Sequence, residues 1–270
     1  MEYATVRGIE VPKIGLGTAR MTGEGCRQAV ETGLDLGYRH LDTAQLYDNE
    51  GAVGEVIAAS GVDRSEVFLT TKLHRRNLAP EDVFESFAAS LNRLGTDYVD
   101  LLLIHAPSDA VPVEETIDAM NELRAEGKVK HVGVSNFSVE QLRAAMDASD
   151  TPILTNQVEY HPHYRQDDLL EFCIDEDVAL TAYSPLDEGR LTDDATLVGI
   201  GDRYGKTAGQ VGLRWLVQQE NVVAIPKASS LDHQRENLDV FDFELTDEEM
   251  ERLFELRKGL AGPIRDLLGL

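Results

Sequence analysis

Short apolar runs rich in β-branched residues alternate with amphipathic segments along the whole chain. The apolar runs predict eight strands, at residues 14–17, 38–42, 67–72, 99–105, 129–134, 153–158, 178–183 and 222–226. The other segments have helical periodicity, at residues 28–36, 50–60, 80–94, 113–126, 139–148, 167–175, 194–219 in two parts, and 231–239. Apolar strands that alternate with helices indicate a parallel sheet, and eight such units close into a (β/α)8 TIM barrel. We therefore predict an α/β protein with a single domain over residues 1–270.

Two further segments lie outside the eight repeats. Residues 6–12 alternate around Gly8 and predict a small hairpin that covers the bottom of the barrel. Residues 246–257 predict an extra helix at the C-terminal side, because Thr246 suits the N-cap and Glu249 follows three residues later, as in a capping box.

The charge balance is strongly acidic. The 270 residues include 49 acidic and 25 basic ones, which gives a net charge of −24. A negative field of this size repels phosphate backbones, so we expect no nucleic-acid partner. Salt at molar concentration screens charges within about 3 Å and relieves such self-repulsion. The composition therefore indicates either a very soluble surface or a halophilic protein adapted to a salty cytoplasm, and we favour the second.

No stretch of the chain approaches the roughly 18 apolar residues of a membrane-spanning helix. The N-terminal residues also lack the pattern of a secretion signal, so we expect a cytoplasmic protein without a membrane partner. Cys26 and Cys173 lie far apart in helical patterns and predict no disulfide. We expect a monomer whose partner is a small molecule.

Titratable side chains stand at the ends of three consecutive predicted strands, where barrel enzymes place their reactive groups. Asp42, Lys72 and His105 end these strands, and Tyr47 follows five residues after Asp42. A carbonyl that accepts hydride needs a proton donor at its oxygen. Tyr47 can serve if the ammonium of Lys72 lowers the pKa of its phenol. Asp42 would pair with the buried Lys72, and His105 would orient the substrate oxygen.

Specific motifs in the order of the chain resemble those of the aldo-keto reductases. They are YRHLDTAQLYDNE at 38–50, TTKL at 70–73, LLIH at 102–105, VGVSNF at 132–137, NQVEY at 156–160, AYSP at 182–185 and IPK at 225–227. The resemblance extends over about residues 6–256. It implies a barrel enzyme without a metal that binds NADP(H) or NAD(H) and reduces a small-molecule carbonyl, with Tyr47 as the acid.

The resemblance also implies a cofactor site. Ser135, Asn136 and Gln157 would bind the nicotinamide amide, and Tyr183 would stack on its ring. The remaining positions that it assigns to the cofactor are Gly17, Thr18, Asp42, Ser184 and Leu186 along its length, Lys227, Ser229, Ser230 and His233 at the phosphate, and Glu236 and Asn237 at the adenine.

Several positions depart from the family pattern. His233 stands where an arginine would bracket the 2′-phosphate of NADPH, and Ala228 replaces the usual serine. Because Lys227 remains, we favour NADP(H), with NAD(H) as the alternative. In the substrate pocket, Ala19, His74 and Ala106 replace aromatic residues, beside Phe137, Tyr47 and His105. These substitutions predict a wider and more polar pocket.

Other interpretations of the same residues exist. One is a nicotinamide-binding barrel that senses redox state without significant turnover. Another is a barrel isomerase or aldolase in which Lys72 forms a Schiff base. His161 and His163 suggest a metal pair, but Pro162 marks a turn and no third ligand is evident from the sequence, so we expect no metal.

Overall fold

The computed structural model describes residues 1–256. Its ten strands are β1 (Tyr3–Val6), β2 (Ile9–Pro12), β3 (Leu16–Gly17), β4 (His40–Asp42), β5 (Phe68–Leu73), β6 (Val99–Ile104), β7 (Val129–Ser135), β8 (Ile153–Glu159), β9 (Ala179–Tyr183) and β10 (Val222–Ala224). Its helices are α1 (Gly23–Leu36), α2 (Glu50–Ala59), α3 (Pro80–Leu94), α4 (Val113–Ala125), α5 (Val139–Ala148), α6 (Asp167–Asp175), α7 (Ala195–Tyr204), α8 (Ala208–Val217), α9 (Leu231–Leu238) and α10 (Asp247–Phe254). Strands β3 to β10 confirm the eight predicted repeats.

The eight strands pair in chain order, and every pair is parallel. Ile14 pairs with Ala224 and Gly17 with Lys227, so the first and last strands meet and the sheet closes. Gly17 suits this seam, because a Cβ there would lie 2.7 Å from the Ile225 carbonyl oxygen. The closure confirms the predicted barrel.

The N-terminal hairpin covers one end of the barrel, as predicted. Strands β1 and β2 pair antiparallel, and the turn residues Arg7 and Gly8 both have positive φ. Val6 and Val11 form an apolar cluster with Leu154 of β8 and Val223 of β10. The hairpin starts at Tyr3, three residues earlier than the sequence pattern indicates.

Local signals fix several helix ends. The Thr246 side chain accepts a hydrogen bond from the Glu249 amide, and the Glu249 side chain bonds back to the Thr246 amide, which confirms the predicted capping box. Helix α10 ends at Phe254, and the predicted end at Arg257 lies outside the described residues. Helix α1 begins five residues before its predicted start, because Gly23 and Gly25 weaken the helical pattern of its first turn.

Within residues 1–256, no helix is long and apolar enough to cross a membrane. Cys26 and Cys173 are both buried and free, as expected.

Candidate active site

Four predicted side chains meet at the carboxyl ends of neighbouring strands. Asp42 ends β4, Lys72 is the fifth residue of β5, and His105 directly follows β6. Tyr47 ends a 3₁₀ turn at Gln45–Tyr47 that follows β4. Because parallel strands end at the same edge of the sheet, residues distant in sequence come into contact here.

The centre of this group is a buried ion pair. The Lys72 Nζ donates to Asp42 Oδ1 at 2.5 Å and to the Thr43 carbonyl oxygen at 2.9 Å. Its third contact is the Tyr47 hydroxyl, at 3.4 Å. Gln157 Nε2 donates to Asp42 Oδ2 at 2.8 Å, so the second carboxylate oxygen also has a partner. With the lysine fully buried, this network holds the ammonium at the Tyr47 hydroxyl.

The protonation states follow from burial and charge. Burial lowers the pKa of Lys72, but the charge of Asp42 and the contacts with Tyr47 together raise it above its usual value, so Lys72 stays charged. Burial raises the pKa of Tyr47, and Lys72 lowers it by less. Lys72 therefore lowers the pKa of Tyr47, as expected. The pKa is nevertheless raised overall, because the effect of burial exceeds that of an ammonium whose charge Asp42 partly neutralises. Tyr47 keeps its proton at neutral pH.

His105 stands on the other side of the phenol. Its ring lies edge-on to Tyr47, with the ring centroids 5.6 Å apart. Burial, followed by the charge of Lys72, lowers the pKa of His105 to about 4. The imidazole is therefore neutral at physiological pH. Its Nδ1 atom is buried and bonds to no other described residue.

A cavity of about 1120 Å³ opens above this group. Fifteen of the predicted site residues line it: Gly17, Ala19, Asp42, Tyr47, His105, Ser135, Asn136, Gln157, Tyr183, Ser184, Leu186, Lys227, His233, Glu236 and Asn237. Tyr47, Asp42 and most of the residues that the resemblance assigns to the cofactor thus line one cavity.

The model of the aldo/keto reductase family matches residues 13–258. This chain belongs to the aldo/keto reductase family. Membership supports oxidoreductase activity on carbonyl groups, and aldo/keto reductases use nicotinamide cofactors, typically NADPH.

Individual relatives cover nearly the whole chain. An aldo-keto reductase of Mycobacterium sp. (strain KMS) is 40% identical over 256 residues, which are 93% of this chain and 91% of the relative. A glyoxal reductase of Bacillus subtilis (strain 168) is 38% identical over 263 residues, 97% of this chain and 95% of the relative. A crystal structure assigned to 2,5-diketo-D-gluconic acid reductase B has a TM-score of 0.94 and 45% identity, covering 96% of this chain and 92% of that one.

The nicotinamide end predicted for this aldo/keto reductase is pre-arranged by hydrogen bonds. Asn136, with a left-handed φ of 62°, donates from Nδ2 to the His105 carbonyl oxygen at 3.0 Å and accepts from the Tyr183 hydroxyl at 2.9 Å. The Ser135 hydroxyl donates to the Gln157 carbonyl oxygen at 2.7 Å. These bonds fix the orientation of Asn136 and Tyr183 at the cavity wall.

The predicted phosphate end combines a lysine with a helix start. Lys227 follows β10, and among residues 1–256 its side chain makes no ion pair, although the protein is rich in carboxylates. His233 lies in the first turn of α9, and its amide donates to the Ser230 hydroxyl at 3.3 Å. An unpaired cation beside a helix N-terminus suits an anionic group.

Other predicted residues lie away from the cavity wall. Thr18 is fully buried and donates to the Asp42 carbonyl oxygen at 2.9 Å. Phe137 lines a separate cavity of about 310 Å³. Seven predicted residues are outside the wall of the large cavity, and their predicted roles stay predictions: Thr18, Lys72, His74, Ala106, Phe137, Ser229 and Ser230. Ser230 has a structural role as the N-cap of α9.

Sequence reasoning missed one wall of the cavity. Glu188, Gly189 and Thr192 line it from the segment between β9 and α7, which forms an irregular 3₁₀ turn at Asp187–Asp193. Arg20, in the loop after β3, pairs with Glu188 at 3.0 Å across the cavity mouth. No periodic pattern or glycine marks Asp187 and Glu188 as left-handed, although both have positive φ.

His161 and His163, which the sequence suggested as a metal pair, both contact carboxylates. Ligand atoms of Glu159, His161 and Asp187 lie within 4.8 Å of one another, so a third potential ligand is close, contrary to the reasoning from sequence. However, the Asp187 oxygens already contact His163 at 3.1 Å and Arg190 at 3.0 Å. The absence of a metal stays a prediction.

Proposed function

We propose that this aldo/keto reductase reduces aldehydes or ketones to alcohols with NADPH and with Tyr47 as the general acid. The observation that carries the proposal is the 3.4 Å contact between the Lys72 ammonium and the Tyr47 hydroxyl at the wall of the large cavity. An ammonium at this distance stabilises the phenolate that forms when the proton leaves.

Each residue then has a definite task. Tyr47 donates its proton to the substrate oxygen, and Lys72 stabilises the resulting negative charge. Asp42 keeps Lys72 charged and in place, since an unpaired ammonium would be costly at this depth. Neutral His105 can donate a hydrogen bond that orients the substrate oxygen. When bound, the reduced nicotinamide supplies the hydride.

The cavity suits a dinucleotide. Its volume of about 1120 Å³ lies above the usual 300–1,000 Å³ of small-molecule sites. Tyr183, Asn136 and Ser135 would hold the nicotinamide, and Lys227 would hold a phosphate. We favour NADPH over NADH because Lys227 offers a cation that no described carboxylate neutralises. A preference for NADH of tenfold or more in kcat/KM, about 1.4 kcal/mol, would contradict this choice.

The test is oxidation of NADPH, followed by its absorbance, with small aldehydes and ketones as substrates. Because a relative is a glyoxal reductase, glyoxal and methylglyoxal are the first compounds to try. Assays belong in both low and molar KCl, given the net charge of −24. We expect Tyr47→Phe to lower kcat by about 100-fold or more while NADPH binding changes little.

Two rival functions make different predictions. A redox sensor would bind NADPH but show no aldehyde-dependent turnover. A Schiff-base enzyme would give a borohydride-trapped adduct on Lys72, whereas a lysine that is fully buried and paired with Asp42 should give none.

A further inference from the structure

One wall of the cavity is an irregular segment in an uncommon backbone conformation. It covers Asp187–Asp193, and Asp187 and Glu188 have φ values of 48° and 53°. Non-glycine residues hold such values only where surrounding contacts impose them. The contacts that hold this segment therefore determine the shape of the cavity.

One imidazole contacts both ends of the segment. His163 Nδ1 lies 3.1 Å from Asp187 Oδ2, and His163 Nε2 lies 3.2 Å from Asp194 Oδ2. Asp187 begins the segment, and Asp194 follows its last residue. The His163 side chain is 3% exposed and projects from the loop between β8 and α6, which is part of the barrel. It thus joins the segment to the fixed scaffold.

The hydrogen bonds of this contact depend on how many N–H groups the ring carries. Ionised carboxylates only accept hydrogen bonds, and a neutral imidazole has a single N–H, so two such bonds need both ring nitrogens protonated. Burial raises the pKa of Asp194, but hydrogen bonds from His163 and from the Thr196 and Leu197 amides outweigh it and hold that pKa below its usual value. The carboxylate therefore stays ionised.

Other charges surround this contact. Arg190, on the segment itself, pairs with Asp187 at 3.0 Å. The His161 ring lies 6.3 Å from the His163 ring and contacts Glu159 at 3.3 Å, but no hydrogen bond between His161 and the segment occurs in the described structure. Arg20 pairs with Glu188 from the opposite side of the cavity. Among residues 1–256, His163 is the side chain that contacts both ends of the segment.

We propose that His163 is a positioning residue that holds the segment against the cavity and thereby slows release of the nicotinamide cofactor. It acts through Asp187 and Asp194 and does not line the cavity itself. The inference rests on the proposed function, because it assumes that the cavity binds this cofactor.

The test replaces His163 by Gln, which has one donor group and no charge. We expect NADPH release, followed by stopped-flow nicotinamide fluorescence, to become about fivefold faster or more, with the single-turnover rate of hydride transfer within about twofold of wild type. His161→Gln is the matched control, since it removes an imidazole from the same loop that makes no hydrogen bond to the segment in the described structure. Release unchanged in His163→Gln, or equally faster in His161→Gln, would overturn the proposal.

A second readout does not need the cofactor. Amide hydrogen exchange over residues 187–194 of the apo protein should speed up by about tenfold in His163→Gln and stay unchanged in His161→Gln. If wild type binds neither NADPH nor NADH, the proposed function fails, and exchange alone then decides whether His163 holds the segment.

If His163→Gln does not fold, Asp187→Asn and Asp194→Asn test the same contacts with the imidazole retained. Asn is also a good N-cap, so Asp194→Asn should leave the start of α7 intact. Faster release in both variants supports the proposal, and wild-type release in both contradicts it.

Discussion

The interaction between Lys72 and Tyr47 gives the most informative perturbation of this site. At an effective dielectric constant of about 20, an ammonium 3.4 Å from a developing phenolate contributes about 5 kcal/mol. Asp42, 2.5 Å from the same ammonium, opposes this effect. If Asp42 cancels about half of this interaction, about 2.5 kcal/mol remains. Removal of the ammonium should then slow hydride transfer by about 70-fold.

Replacing Lys72 alone would confuse the result. It would leave the buried Asp42 carboxylate unpaired, at a cost of about 3–5 kcal/mol in folding free energy. We therefore choose the double variant Lys72→Met/Asp42→Asn, in which both charges are gone and Gln157 keeps an oxygen to bond. Denaturant unfolding should stay near wild type, and the assay uses saturating NADPH because the resemblance also assigns Asp42 to the cofactor.

The assay is single-turnover hydride transfer from NADPH to methylglyoxal, measured by stopped-flow absorbance. A loss of about 70-fold with stability preserved would agree with the electrostatic role of Lys72. A rate within about threefold of wild type would refute it, because the phenol would then lose its proton equally well without an ammonium beside it.

Three further outcomes follow from the structure. Burial lowers the pKa of His40 from 6.5 to about 4, so the unfolded chain binds more protons between these values and unfolding free energy should fall as pH drops through this window, by about 3 kcal/mol; His40→Gln should flatten that dependence in urea titrations at each pH. Gly54→Ala should destabilise the fold by about 2–3 kcal/mol, because the new Cβ would lie 2.1 Å from the Leu94 carbonyl oxygen. Gly25→Ala, with open space around it, should instead stabilise α1 by about 0.5–1 kcal/mol, and equal effects of the two in thermal melts would contradict this reasoning. Lys227→Met should weaken NADPH binding by about 10–50-fold in calorimetric titrations and affect NADH binding much less. Equal losses of affinity for both cofactors would contradict a contact between Lys227 and the 2′-phosphate.

The barrel was predictable because its signals are local. Each strand is an apolar run followed by a helical repeat, so eight repeats can be counted without any knowledge of long-range contacts. The same logic located Asp42, Lys72 and His105, since each stands at or beside the end of its strand. Boundaries shifted at several elements, by five residues in the first turn of α1, where glycines weaken the helical pattern.

The features that sequence did not reveal depend on contacts between distant residues. Gln157 bonds to Asp42 across 115 positions, which no local pattern indicates. The segment between β9 and α7 contacts His163 and Arg20, which lie in other loops. The net direction of the Tyr47 pKa depends on the depth of burial, and burial is known only once the barrel closes.

The most direct test of the account is a crystal structure of the protein with NADP⁺ bound. We predict that the nicotinamide ring lies against Tyr183. Its C4 atom should lie within about 4 Å of the carbonyl carbon of a substrate whose oxygen accepts a hydrogen bond from the Tyr47 hydroxyl. Lys72 should remain in contact with that hydroxyl. A nicotinamide ring bound away from Tyr47, or a Tyr47 hydroxyl turned out of reach of Lys72, would contradict the account.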